Sequence, residues 1–168
     1  MKILNLSCGS RNVPEFDKHE LVRLDINEEV KPDIVWDLNK HPLPFKDEEF
    51  DQVHAYDVLE HLGKQGDYKF FFSEFNEYWR ILKPNGLFVA SVPAITSGWV
   101  FGDPGHTRVF SRYMLIFLDQ NTYSQCGTSQ LTDYRFIYKG NFKTENIMYP
   151  QYKEYMDSMT FVLRKIDE

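Results

Sequence analysis

The first half of the chain alternates short apolar runs with polar breaks. KILNL (2–6), ELVRLDI (20–26), DIVWDL (33–38) and FDQVHAYDV (50–58) each read as a strand. GLFVASVP (86–93) is a fifth, launched by the turn Pro84-Asn85-Gly86. Between the fourth and fifth the period changes. Phe71, Phe72, Phe75, Tyr78, Trp79 and Leu82 recur at helical spacing, with Lys69, Glu74, Glu77 and Arg80 assigned to the opposite, polar side. Such an aromatic stripe predicts core packing of one helix against a sheet.

The second half is less regular. The loop AITSGWVFGDPGHTRVF precedes SRYMLIFLD (111–119), a short helix with Ser111 as its N-cap. DYRFIYKG (133–140) and MTFVLRKI (159–166) are two further strand candidates, separated by a long excursion and not by a tight hairpin. The connection after the first strand is short and contains Pro14, leaving room for about one helical turn. Five early strands with short connections and one clear helix predict an α/β sheet, mostly parallel, with an antiparallel edge from the last strands. At 168 residues, without a visible boundary, residues 1–168 are expected to form a single domain.

Composition narrows the function classes. A net charge of -6 gives no global field toward nucleic acid, so no nucleic-acid partner is expected. Cys8 and Cys126 make no disulfide framework and read as free thiols. The start MKILNLSCGS does not read as a signal peptide, and no run approaches the roughly 20 apolar residues of a membrane span. The expectation is a cytoplasmic protein without a membrane partner.

In open parallel sheets, ligands bind beyond the carboxyl ends of the strands. After the first strand stands SCGSRN, with one glycine, Gly9, where a phosphate loop would have three. Asp25 ends the second strand, 16 positions after Gly9, and its two oxygens can accept both hydroxyls of a ribose. Asp37 ends the third, where it can accept from an adenine amino group between Ile26 and Leu38. A lone acid at a strand end is usually a cap or a solvated turn. Two at successive ends, behind a glycine loop, point to a nucleoside.

Taken in order, LNLSCGSR, RLDIN, DIVWDLNKHPLPFKDEEFDQVHAYDVLEHL and WRILKPNGLFVASVP resemble class I S-adenosylmethionine-dependent methyltransferases, specifically the methyltransferase type 11 group in compact form. The likeness runs from residue 2 to about 118 and implies a Rossmann-like sheet and S-adenosyl-L-methionine as cofactor. It implies that Asn5, Ser7, Cys8 and Gly9 contact the methionine part, Asp25 the ribose, and Ile26, Asp37 and Leu38 the adenine. Tyr56, Asp57 and Val58 would form the floor below the methyl-bearing sulfur, with His61 capping the pocket. Relatives usually carry an acid where this chain has Asn5, and glycines where it has Ser7 and Arg11.

Methyl transfer needs in-line placement, and a base only where the acceptor must lose a proton. His61 and His106 are the candidates, His106 from the stretch GDPGHTRVFS that related proteins also carry. His106 equally reads as part of a loop-shaping turn. Arg108 and Arg112 could grip an acidic group on the acceptor or pair with surface acids. His19, His41 and His54 read as ordinary surface or strand residues. The chain has no DPPY-like element for a flipped base, no Pro-Cys nucleophile, no Cys/His zinc set and no acid-acid-amide trio for magnesium, so no metal is expected. The expected partner is a small-molecule acceptor. An open site and many aromatic residues also suit a homodimer. Intact Asp25, Asp37 and VLEHL favour an enzyme. Asn5 and Arg11 favour a degenerate member that binds a nucleoside or serves as a scaffold.

Overall fold

The computed structural model describes residues 1–7, 9, 16, 18–150 and 157–167. Its centre is a seven-stranded sheet of β1 (Lys2–Leu6), β2 (Glu20–Asp25), β3 (Ile34–Val35), β4 (Phe50–Tyr56), β5 (Leu82–Pro93), β6 (Phe142–Met148) and β7 (Ser158–Lys165). The strand order is β3-β2-β1-β4-β5-β7-β6. The first five strands pair in parallel, while β7 runs antiparallel to β5 and β6 antiparallel to β7. This is the expected α/β sheet with an antiparallel edge. Its order reverses at β1, so a crevice opens beyond the carboxyl ends of β1 and β4.

Several boundaries differ from the sequence reading, each for a local reason. β3 holds only Ile34 and Val35, because the Asp37 carboxylate turns back to accept from the Asn39 amide at 2.9 Å. β5 begins at Leu82, and the expected turn survives inside it as an irregularity, with Asn85 at φ 62°. DYRFIYKG is not a strand. There Asp133 captures the Arg135 amide and guanidinium, and the amides of Ile137 and Tyr138 close a turn on Tyr134. Its aromatic rings pack instead on the helix, Tyr134 and Tyr138 lying 4.8 and 5.2 Å from Phe72. The edge strand is β6, whose Lys143, Glu145 and Asn146 face solvent and hide it from an apolar-run reading. The first connection, with Pro14, lies largely outside the described residues.

The helix α1 spans Tyr68–Ile81, and the Asp67 side chain caps it by accepting from the Phe70 amide at 3.0 Å. Phe71, Phe72, Phe75 and Tyr78 are buried against the sheet, Tyr78 stacking on Phe88 of β5 at 4.6 Å. Burying each such ring is worth about 1.5–3 kcal/mol. Leu82, the last member of the stripe, lies in β5. After β5 come α2 (Trp99–Gly102) and α3 (Arg112–Leu115), the latter capped by Ser111 as expected.

Glu74 corrects the assignment of α1's polar side. It is fully buried, and Arg108 clamps both of its oxygens through one nitrogen at 2.9 and 2.8 Å. The Tyr78 hydroxyl donates to Glu74 at 3.0 Å, and Arg108 Nε donates to the Leu59 carbonyl at 2.7 Å. Burial pushes the Glu74 carboxyl up, and the guanidinium opposes that shift. Arg108 therefore grips an internal acid and is not an acceptor clamp. Arg112 lies over the Tyr113 ring at 5.5 Å. Arg108→Ala leaves the buried Glu74 without its cation and is expected to cost about 3–5 kcal/mol, read as a lowered urea midpoint with an unchanged slope.

Candidate functional site

The crevice holds two cavities. The first, of about 300 Å³, lies beyond β1, β2 and β3 and is lined by Ser7, Asp25, Ile26, Trp36, Asp37, Leu38, Asn39, Val58, His61 and Leu62. Asp25 is buried, and its Oδ2 accepts from the Gly9 amide at 2.9 Å while Oδ1 accepts from the Asn27 amide at 2.8 Å. Each oxygen keeps a second lone pair for a ligand hydroxyl. Ile26 is 66% exposed beside it, an apolar surface on the cavity wall. Asp37 accepts from the Asn39 amide and side chain, which holds its carboxyl below the usual carboxylate range. Asn39 in turn accepts from the Gly63 amide at 2.9 Å, tying this loop to the turn after β4.

Most of the nucleoside residues named from sequence thus line one cavity, and the exceptions are informative. Asn5 is buried within β1 and lines neither cavity. The Tyr56 hydroxyl is taken by His54 Nδ1 at 2.8 Å, away from both cavities. His54 itself is buried, and burial pushes its imidazole down to about 4, so it is a neutral interior residue and not a surface one. Asp57 lines the second cavity. Cys8 and Arg11 lie outside the described residues.

The second cavity, of about 530 Å³, lies beyond β4 and β5. Asp57, Glu60, Asp103 and Asp157 bring carboxyl groups to it, His61 and His106 bring imidazoles, and among the described residues no Lys or Arg lines it. Among the described residues, most buried side-chain polar atoms without a hydrogen-bond partner belong to its walls: both Glu60 oxygens, His106 Nδ1, Asp157 Oδ1 and Ser158 Oγ. Burial, then the negative charges of Asp57 and Asp103, push the Glu60 carboxyl up to about 7. His61 lines both cavities and so forms the wall between them.

Two of the segments that build this second site carry its histidines. One is the turn Leu59–His61 after β4, and the other is the loop 103–108 after α2. They are zipped together: the Thr107 and Arg108 amides donate to the Glu60 carbonyl at 2.9 and 3.3 Å, and the Gln65 amide donates to the Thr107 carbonyl at 3.0 Å. His61 Nδ1 lies 3.1 Å from the Gly105 carbonyl, and the two histidine rings meet edge to face at 4.6 Å. A Cβ at residue 105 would sit 3.1 Å from both His61 Nδ1 and Asp103 Oδ1, close enough that these side chains would have to shift by a few tenths of an ångström. One ligand-type atom from each of Glu60, His61 and His106 lies within 4.8 Å of the others.

A mostly parallel sheet with a nucleoside-sized groove at its reversal point and a second cavity beside it has the architecture of a class I methyltransferase. Residues 4–90 match the methyltransferase domain family, just over half of the chain, and the chain belongs to that family, type 11. No curated protein matches it. A SAM-dependent methyltransferase from Archaeoglobus fulgidus shares the fold with a TM-score of 0.65, 18% identity, and coverage of 98% of this chain and 86% of its own. The N-methyltransferase NodS from Bradyrhizobium japonicum WM9, in complex with S-adenosyl-L-homocysteine, gives 0.60 at 14% identity, covering 98% and 77%. The cyclase SpnF gives 0.63 at 12% identity, covering 98% and 75%. At these identities the likeness is one of fold.

Glu60 is the residue to which sequence reasoning gave no role, although it stands in the quoted VLEHL. Only burial without a partner distinguishes it from a solvated acid, and the sequence carries no sign of that. Asp103, Asp157 and Ser158 are likewise visible only in three dimensions.

Two predictions follow from this geometry. Ser7 sits at φ 52°, the left-handed region that favours glycine, so Ser7→Gly is expected to raise stability by up to about 1 kcal/mol in urea unfolding. Between pH 4.5 and about 7, the unfolded chain releases the Glu60 proton while the native chain retains it. Stability present below pH 4.5 is therefore lost as pH rises to about 7. Glu60→Gln removes that loss: melting curves should coincide with wild type in acid, and the variant should gain up to about 3 kcal/mol at pH 8.

Proposed function

We propose that the protein transfers a methyl group from S-adenosylmethionine to a small-molecule acceptor. The observation that carries this reading is the shared wall: His61 separates a nucleoside-sized groove from a polar, partly unsatisfied cavity, as a two-substrate transfer requires. The groove receives the ribose at Asp25 and the adenine between Ile26, Asp37 and Leu38, with Val58 beneath. Gly9 and Ser7 border the methionine end. In the transfer, a lone pair of the acceptor attacks the methyl carbon. The carbon–sulfur bond breaks with its electron pair remaining on sulfur, leaving S-adenosylhomocysteine. An acceptor that must lose a proton meets His61 and His106 in the second cavity. S-adenosylhomocysteine is the molecule held by NodS, whose fold this chain shares.

A non-catalytic, nucleoside-binding or scaffolding role is the competing reading. It is favoured by Asn5 and Arg11, which stand where relatives usually carry an acid and a glycine. Calorimetry separates the enzyme from a scaffold that binds no cofactor. S-adenosylmethionine and S-adenosylhomocysteine should both bind to the wild-type protein, and Asp25→Ala should weaken both at least tenfold, with a melting curve to confirm folding. Absence of heat at millimolar ligand would remove the enzyme reading. Unchanged affinity in Asp25→Ala would displace the ribose from this groove.

A further inference from the structure

We propose that Glu60, His61 and His106 form a binding site for one divalent transition-metal ion of the zinc class, open to the second cavity. The three side chains bring one ligand atom each within 4.8 Å of one another. Glu60 Oε1 and His106 Nε2 stand 3.9 Å apart, too far for a hydrogen bond. Two ligands of one tetrahedral ion, each bonded at about 2.1 Å, are about 3.4 Å apart. Closing the cluster to that spacing takes a shift of about 1.4 Å, within reach of the exposed His61 ring.

A second observation points to a cation independently of these distances. The Glu60 side chain is 3% exposed, and among the described residues neither of its oxygens has a hydrogen-bond partner. Buried carboxylates are paired with a cation or coordinate one. The nearby guanidinium of Arg108 is clamped on Glu74, and among the described residues no Lys or Arg lines the cavity. A metal cation from solution fits the place that these described residues leave unfilled.

The ligand chemistry selects the ion. Two imidazoles and one carboxylate suit zinc, cobalt or nickel better than magnesium or calcium, which take oxygen donors. His61 Nδ1 faces the Gly105 carbonyl at 3.1 Å, the backbone contact that fixes the tautomer of a ligating histidine and leaves Nε2 with its lone pair. Asp103 Oδ2 lies 4.0 Å from His106 Nε2, beside the same position. The platform is rigid, because the backbone bonds between residues 60 and 107–108 hold the Glu60 and His106 segments together.

One consequence rests on the methyl-transfer reading. The open positions of such an ion face the acceptor cavity, where an alcohol, phenol or carboxylate oxygen would bind. An alcohol or phenol would release its proton to solvent, and the oxygen lone pair would then take the methyl group as the carbon–sulfur bond breaks with its electron pair on sulfur. The imidazoles would act as ligands, not as the base.

Metal-stripped protein titrated with cobalt(II) and zinc(II), followed by calorimetry and visible absorption, tests the site. One equivalent should bind, with the cobalt spectrum of a low-coordinate nitrogen and oxygen site. Glu60→Gln and His106→Gln should each weaken binding roughly tenfold or more while keeping a cooperative melt. The proposal is overturned by the absence of saturable one-equivalent binding, or by equal affinity in wild type and both variants. S-adenosylhomocysteine binding, measured separately on the same samples, reports on the methyl-transfer reading alone.

Discussion

The buried pair of Arg108 and Glu74 is the constraint on which the site depends. Arg108 belongs to the loop after α2, Glu74 to α1, and the Arg108 Nε bond reaches the Leu59 carbonyl in the turn after β4. Three parts of the chain are thus fixed at one guanidinium, which also stacks on Phe110 at 4.6 Å. Glu60, His61 and His106 are immediate neighbours of these anchor points. A buried ion pair is weak evidence of net stability, because desolvation offsets most of its attraction. Its value here is positional: it sets where the two halves of the second cavity meet.

Against that rigid pair, the walls of the cavity are electrostatically incomplete. Four carboxyl groups and two imidazoles converge with no Lys or Arg among the described residues, and burial has pushed one acid up to about 7. A sequence selected for stability alone would place a glutamine or an apolar residue at position 60. Retaining an acid there is the pattern expected where a site holds strain for function. The same acids set a local field that favours a positive occupant, and the sulfonium of S-adenosylmethionine is one such charge.

The sequence made the parallel sheet, the long helix and most of the lining of the first groove legible, because each rests on local signals. Strand runs and the aromatic stripe are periodic, and Asp25 and Asp37 stand at strand ends. What it obscured were features decided by tertiary contact. Glu74 sits beside Phe75 and reads as a polar-face acid, yet its partner lies 34 residues away. β6 is an edge strand whose polar residues suppress the apolar signal, while the aromatic stretch before it serves as packing for α1. Glu60 and His106 meet across a separation that no spacing rule addresses.

The departures of the first loop from the family pattern also change meaning once placed. Asn5 is buried within β1, so its lack of charge avoids an unpaired ion in the core. Ser7 adopts a backbone conformation suited to glycine and still lines the groove. Gly9 needs no glycine-rich neighbours, because Asp25 fixes its amide directly. Gly9 is therefore held from the second strand. Glycine count is a poor guide in such a loop: a phosphate cradle needs several free amides pointing at a ligand, whereas a ribose needs one acid with a lone pair to spare.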